Sequence, residues 1–289
     1  TCLKSLPAQT IQNTSVEIKD FDYDAFSVFA PVVEKDLGDN HERFLTADPL
    51  HLLQTGNFAQ VPLITGVTSN EISFRGDFLL RNPEWAEKFN NDFLRYAPVE
   101  FQYERSGPTS IRISNAIRKF YFGSLNKTID NSTEEQLGQI YADAHIIFPG
   151  VQTAKLIAAK SSAPVYFYLF DYSGRYTSRG PREKPGVLHS DELVYLLENN
   201  LFLPQFNATD PEATTINLMT SLWSNFASTG NPNIRNIRNR VEWKKLRKGH
   251  YAYLRIRDTL NLKDGLPFPA RMSLWESLFP LSGPRQIFF

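Results

Sequence analysis

Two short runs leave the chain little choice of environment. VPLITGV (residues 61–67) and VYFYLFDY (165–172) are almost unbroken apolar and aromatic stretches; Pro62 and Gly66 bound the first and Pro164 introduces the second. Compact runs rich in β-branched and aromatic residues read as buried strands. Longer segments with helical signatures alternate with them, so the chain is expected to build an α/β sheet covered on both faces. A third strand is expected in HYAYLRIRD (250–258).

The helical segments are marked by their ends. DPLHLLQTGNF reads as a short helix stopped at Gly56, and PEWAEKFNNDFLRYA and TSIRISNAIRKFYFG read as helices within residues 83–122. Residues 133–162 are expected to be helical, with Thr133 as N-cap, Gln136 as its capping-box partner and a break at Pro149. Residues 210–230 form the clearest helix, with Asp210 capping, Pro211 in the first turn, a stripe of Leu218, Leu222 and Phe226, and Gly230 as the stop. A further helix is expected to begin at SDEL after His189, and MSLWESLF closes as a last one. No repeat of 20–50 residues and no low-complexity linker divides the chain.

Composition excludes whole classes. The chain has 289 residues with 31 basic and 31 acidic side chains, a balance that argues against a partner dominated by nucleic acid or anionic lipid. No apolar run approaches the ~18 residues that cross a bilayer. One cysteine, Cys2, cannot build a disulfide framework or a redox pair within the chain, so any partner lies outside it. Sequons at Asn13, Asn126, Asn131 and Asn207 point to a glycosylated protein of the secretory pathway. The stretch 234–257 carries nine Lys or Arg interleaved with Trp243, Tyr251 and Tyr253. That mixture can bind nucleic acid, but overall neutrality favours a solvated loop feeding a strand.

Five histidines occur, and there is no HExxH, Cys/His cluster, EF-hand loop, GxGxxG or GxxxxGK[ST]. Neither a metal nor a cofactor is therefore expected. In α/β sheets function sits beyond the carboxyl ends of strands. Two candidates fall there: Glu71 in TSNEISF, just past the first strand, and His189 in KPGVLHSDEL. The histidine could act as a general base, and the carboxylate could hold its tautomer if buried beside it. Each also fits an ordinary role, a surface histidine near a helix start and a solvated loop carboxylate. Phe74 fits a core side chain as well as a pocket wall.

Taken in order, CLKSLPAQ, FAPVVEKD, FLTADPLHLLQTGNFAQVPLITGVTSNEISF, VYFYLFDY, GVLHSDELVYLL, LWSNFASTGNPN and LWESLF resemble the C-terminal half of the type-B carboxylesterase/cholinesterase family, nearest in wording to insect carboxylesterases. The resemblance implies that residues 1–289 are the C-terminal part of a single α/β-hydrolase domain, a mixed sheet flanked by helices and incomplete on its own. It implies that Glu71 is the acidic triad member, that His189 is the catalytic histidine, and that Phe74 lines the acyl or choline side of the pocket. Phe148 and Met272 stand where cholinesterases place a disulfide, so that bridge is absent. Cys2 matches a cysteine whose partner lies upstream.

The family's nucleophile, a serine in a GxSxG elbow, and its glycine-rich oxyanion loop do not occur in these 289 residues. The implied function is ester hydrolysis through an acyl-enzyme, with this chain supplying Glu and His but not Ser. By itself the chain is expected to be inactive, and poorly soluble without the N-terminal part of the same domain, because its strands would present apolar faces and unpaired edges. The alternative is a non-catalytic cholinesterase-like adhesion or binding module. Retention of both Glu71 and His189 favours the enzyme.

Overall fold

The structure is a computed structural model that describes residues 2–14, 21, 31–38, 42–198, 205–233 and 241–281. His41, Asn199, Asn200, the first two residues of FAPVVEKD and residues 234–240 of the basic stretch lie outside these. Ten helices follow one another among the described residues. They are α1 (Ala8–Asn13), α2 (Pro49–Thr55), α3 (Phe74–Arg81), α4 (Pro83–Asn91), α5 (Phe93–Glu100), α6 (Gly107–Phe122), α7 (Glu134–Ala142), α8 (Phe148–Lys160), α9 (Ala213–Thr229) and α10 (Pro269–Leu278). The strands are β1 (Leu63–Thr68), β2 (Val165–Phe170), β3 (Tyr176–Thr177), β4 (Gly180–Pro181), β5 (Ala252–Ile256) and β6 (Leu260–Asp264). These elements group into two compact units, one of Thr1–Asp48, Arg75–Tyr141 and Leu278–Phe289, the other of Pro49–Phe74 and Ala142–Ser277.

The first unit is helical. Its core is aromatic: Phe89 meets Phe93 and Phe101 edge-on, and Phe101 meets Tyr141 edge-on at 5.2 Å. Tyr141 donates its hydroxyl hydrogen to the buried carboxylate of Glu100. The capping box differs from expectation. Asp130 is the cap: its carboxylate accepts the Ser132 N–H at 2.9 Å, and the Thr133 hydroxyl accepts the Asp130 N–H at 2.9 Å. Thr133 thus takes the reciprocal role assigned to Gln136, because an aspartate three residues earlier outcompetes it as the cap.

The second unit holds the sheet, ordered β1-β2-β5-β6. β1 and β2 are parallel along their whole length, β2 and β5 are parallel, and β5 and β6 are antiparallel. A sheet that is parallel at its centre must be covered on both faces. One face packs on α8, where Val67 lies against Gly150. On the other, Tyr166, Phe170, Leu254 and Ile256 pack with Met219 and Leu222 of α9 and with Trp243. Among the described residues β1 is one outer strand of this sheet and β6 the other, and Leu63–Gly66 of β1 are half-buried.

Gly66 pairs with Tyr168 across the β1–β2 ladder, and a Cβ there would lie 2.5 Å from the Tyr168 carbonyl oxygen and clash with its ring carbon Cδ1. Trp223 and Trp243 flank that ring edge-on, so it has nowhere to move. Trp243 is itself buried and donates its indole N–H to the Phe167 carbonyl at 3.0 Å, so it offers no face to a nucleic-acid base.

Several local expectations shift. The break at Pro149 is one π-helical turn, Asp143–Ile147, leading straight into α8 with Pro149 in its first turn. The wide turn accommodates a residue that has no N–H to give. α9 starts at Ala213 rather than after Asp210, because Asp210 is engaged elsewhere, accepting the Asn207 N–H at 2.7 Å and pairing with Arg175 at 2.8 Å. Its buried stripe is Thr215, Met219 and Leu222, with Leu218 half-buried beside it. β6 was not anticipated: LNLKD carries only two apolar residues, and its pairing with β5 supplies the ladder. Where cholinesterases place a disulfide, Phe148 packs against Trp275 with ring centres 5.9 Å apart. Nearby, Arg271 makes a two-pronged ion pair with the buried Asp143.

Candidate active site

Both sequence candidates lie just beyond the carboxyl end of the sheet. β1 ends at Thr68, and the chain turns through Ser69–Ser73 into α3. The Ser69 N–H donates to the Phe170 carbonyl at the end of β2, so this loop is anchored to the next strand. The loop carrying His189 arrives beside it, where Asn70 and Leu188 form an isolated parallel bridge and the Asn70 N–H donates to the Val187 carbonyl at 2.9 Å. Gly186 makes this approach possible. Its φ is +112°, and a Cβ there would press on the Asn70 side chain at 3.0 Å.

That bridge brings two residues 118 positions apart into contact: His189 Nδ1 and Glu71 Oε2 are 2.6 Å apart. Glu71 is buried, its side chain 4% exposed against 47% for His189. Its other oxygen accepts the Thr68 N–H at 2.7 Å, which fixes the carboxylate's rotation. A carboxylate can only accept, so the 2.6 Å contact places the proton on Nδ1 and leaves Nε2 with a free lone pair. The residue after each partner has a left-handed backbone: Ile72 at φ +35° and Ser190 at φ +70°. Non-glycine residues held there store strain, which the surrounding hydrogen bonds must hold.

The hydrogen bond that His189 donates to Glu71 raises the imidazole pKa above its ordinary value. Burial opposes the rise, the charges of Glu71 and Glu192 add to it, and Arg179 pulls it down. Glu192 itself is raised, chiefly by burial and further by the Glu71 charge, and its Oε2 is buried with no hydrogen-bond partner among the described residues.

Sequence reasoning missed the frame beneath His189. SDEL forms a single 3-10 turn, Asp191–Tyr195, and the Asp191 carboxylate points inward rather than capping it. Asp191 accepts N–H bonds from Leu188 and Ser178, both at 2.9 Å, and pairs with Arg182 at 3.0 Å. Arg182, only 8% exposed, also donates to the carbonyls of Gly174, Tyr176 and Gly186. One buried ion pair therefore ties both ends of the loop that presents His189. The only hint was the density of cations in SGRYTSRGPREKPG, which does not say which arginine turns inward.

Phe74 opens α3, half-buried, with the Arg179 guanidinium carbon 3.7 Å from its ring centre. Asn13, Asn126, Asn131 and Asn207 are all exposed, and so is Cys2, which forms no disulfide among the described residues. Among the described residues no group of three or more His, Cys, Asp or Glu could hold a metal ion, and no helix is long and apolar enough to cross a membrane. A cavity of about 1110 Å³ opens at the opposite, amino ends of β2 and β5, lined by Pro164, Tyr166, Trp243 and Tyr251 among others, and includes neither Glu71 nor His189.

A model of the carboxylesterase family matches residues 1–275. Juvenile hormone esterase of Tribolium castaneum is 27% identical over 242 residues, 80% of this chain and 41% of that protein. Esterase E4 of Myzus persicae is 29% identical over 249 residues, 81% of this chain and 42% of that protein. The crystal structure of juvenile hormone esterase from Manduca sexta, with OTFP covalently attached, superposes with a TM-score of 0.72 at 23% identity, covering 96% of this chain and 51% of that one. That likeness establishes the α/β-hydrolase fold. The chain spans about two-fifths of the length of the curated relatives it matches.

Proposed function

Because this chain belongs to the carboxylesterase family, we propose that it supplies the acid and the base of a Ser-Glu-His triad that hydrolyses carboxylic esters. The 2.6 Å contact between His189 Nδ1 and a buried, twice-anchored Glu71 carries this reading. His189 Nε2 takes the proton of a serine hydroxyl as that oxygen attacks the ester carbonyl. Glu71 stabilises the imidazolium that results. His189 then gives the proton to the departing alcohol, leaving an acyl-enzyme, and the same nitrogen takes a proton from the water that cleaves it. Phe74 borders the substrate.

The serine and the oxyanion donors come from outside these residues, in a segment that completes the domain beside the outer edge of β1. The sequence holds no GxSxG, and the matched relatives are more than twice as long, which supports that division. Residues 1–289 alone therefore turn over no ester. The protein is a secreted glycoprotein carrying glycans at its four exposed sequons, and Cys2 pairs with a cysteine outside the chain.

The test uses the intact protein. Stoichiometric labelling by an organophosphate and loss of turnover in His189→Ala are expected. Unchanged rates in that variant refute the role of His189, and turnover by residues 1–289 alone refutes the division of the triad. Endoglycosidase treatment should shift the secreted protein's mobility, and Asn→Gln changes at the four sequons should each remove part of that shift.

A further inference from the structure

The β3–β4 hairpin brings to this face a cation that the proposed chemistry does not use. Its turn is tied to the His189 loop: the Ser178 N–H donates to Asp191 at 2.9 Å, and the Ser178 hydroxyl donates to the His189 carbonyl at 3.2 Å. The next residue, Arg179, is exposed and lies over the ring of Phe74 at 3.7 Å. It is close enough to His189 to oppose protonation of the imidazole. Among the described residues its guanidinium makes no hydrogen bond and no ion pair.

These facts combine simply. An aromatic face attracts one cation at a time, and the covered face of Phe74 already holds the chain's own. A guanidinium lying over a ring still projects its N–H donors outward around its rim, in the fork that suits a carboxylate. The acidic groups near His189 do not cancel this charge for a ligand. Glu71 is buried against the imidazole, and Glu192 turns an oxygen inward, whereas Arg179 stands exposed.

We propose that Arg179 is a specificity-determining residue that turns the Glu71–His189 site away from cationic esters and toward esters bearing a carboxylate on the part that lies against Phe74. The proposal rests on the esterase reading above and names the substrate class of that site.

The experiment compares kcat/KM of the intact protein for two thioesters of equal size, butyrylthiocholine and the butyryl thioester of 4-mercaptobutanoate. The ratio of anionic to cationic substrate should fall by about tenfold or more in Arg179→Gln and be partly restored in Arg179→Lys, which keeps the charge but not the flat fork. A ratio within about twofold of wild type in Arg179→Gln overturns the proposal, because a purely structural loss slows both substrates alike. If wild type cleaves neither thioester, nor neutral p-nitrophenyl butyrate, the esterase reading fails. Binding then decides the matter for Arg179: tetramethylammonium should show saturation transfer with Arg179→Gln and not with wild type. Equal signals from the two proteins overturn the proposal.

Discussion

Replacing Glu71 by glutamine should invert the tautomer of His189, and the structure says why. The Glu71 carboxylate receives two donors at once, the Thr68 N–H at 2.7 Å and the His189 Nδ1–H at 2.6 Å. Glutamine has one acceptor oxygen and one NH₂ group in the same volume. The Thr68 N–H is a backbone donor at the end of β1 and cannot become an acceptor, so the amide oxygen must turn to it. The NH₂ then faces Nδ1, which accepts only if its proton moves to Nε2. The nitrogen needed as a base is thereby occupied, and the carboxylate that favoured the imidazolium is gone. Turnover by the intact protein should fall by about 10³ to 10⁴, as expected for a triad whose acid is made neutral with its geometry kept. The His189 pKa should fall as well, since the hydrogen bond it donates to Glu71 is the leading cause of its rise. Nitrogen-15 NMR of the imidazole reads the tautomer directly. A proton still on Nδ1 in the variant, or a rate within about tenfold of wild type, would refute the reasoning.

The same pair predicts a pH dependence of stability. The folded-state pKa of His189 is raised, so its contribution is fully present below the unfolded value of about 6.5 and is lost as pH rises through the folded pKa. The stability advantage of wild type over His189→Gln should shrink as pH rises above about 6.5 in urea titrations; an advantage that grows with pH contradicts the assignment. Gly66→Ala forces a methyl group into the Tyr168 ring and carbonyl, and should cost about 3 kcal/mol or more by urea denaturation; a loss below about 0.5 kcal/mol would show that the β1–β2 contact yields. Asp191→Ala strands the buried Arg182 guanidinium and should cost about 3 to 5 kcal/mol. Arg182→Met in the same background should recover part of that loss, and additive losses would show that the two do not act as a pair.

The sequence by itself determined the local architecture. Apolar runs such as VYFYLF had no stable place except a strand covered on both faces, and positions 218–230 carried a helical stripe and a glycine stop. Those signals sit within one or two turns of chain, where side-chain spacing is enough to read them. The order of motifs also disclosed the family, and with it the expectation that Glu71 and His189 act together. What local spacing lacked was partners. Asp130, Thr133 and Asp210 are all plausible caps, and only the competing contacts of the folded chain chose among them. β6 has little apolar pattern and exists through its pairing with β5. Only the tertiary structure decided that Asp191 and Arg182 turn inward to hold the His189 loop, and that Arg179 lies on Phe74. It alone brings Glu71 to His189, because their contact depends on a backbone bridge between loops 118 residues apart. A one-dimensional pattern records which residues can pair; which of them do pair is settled by the packing that closes the loops between them.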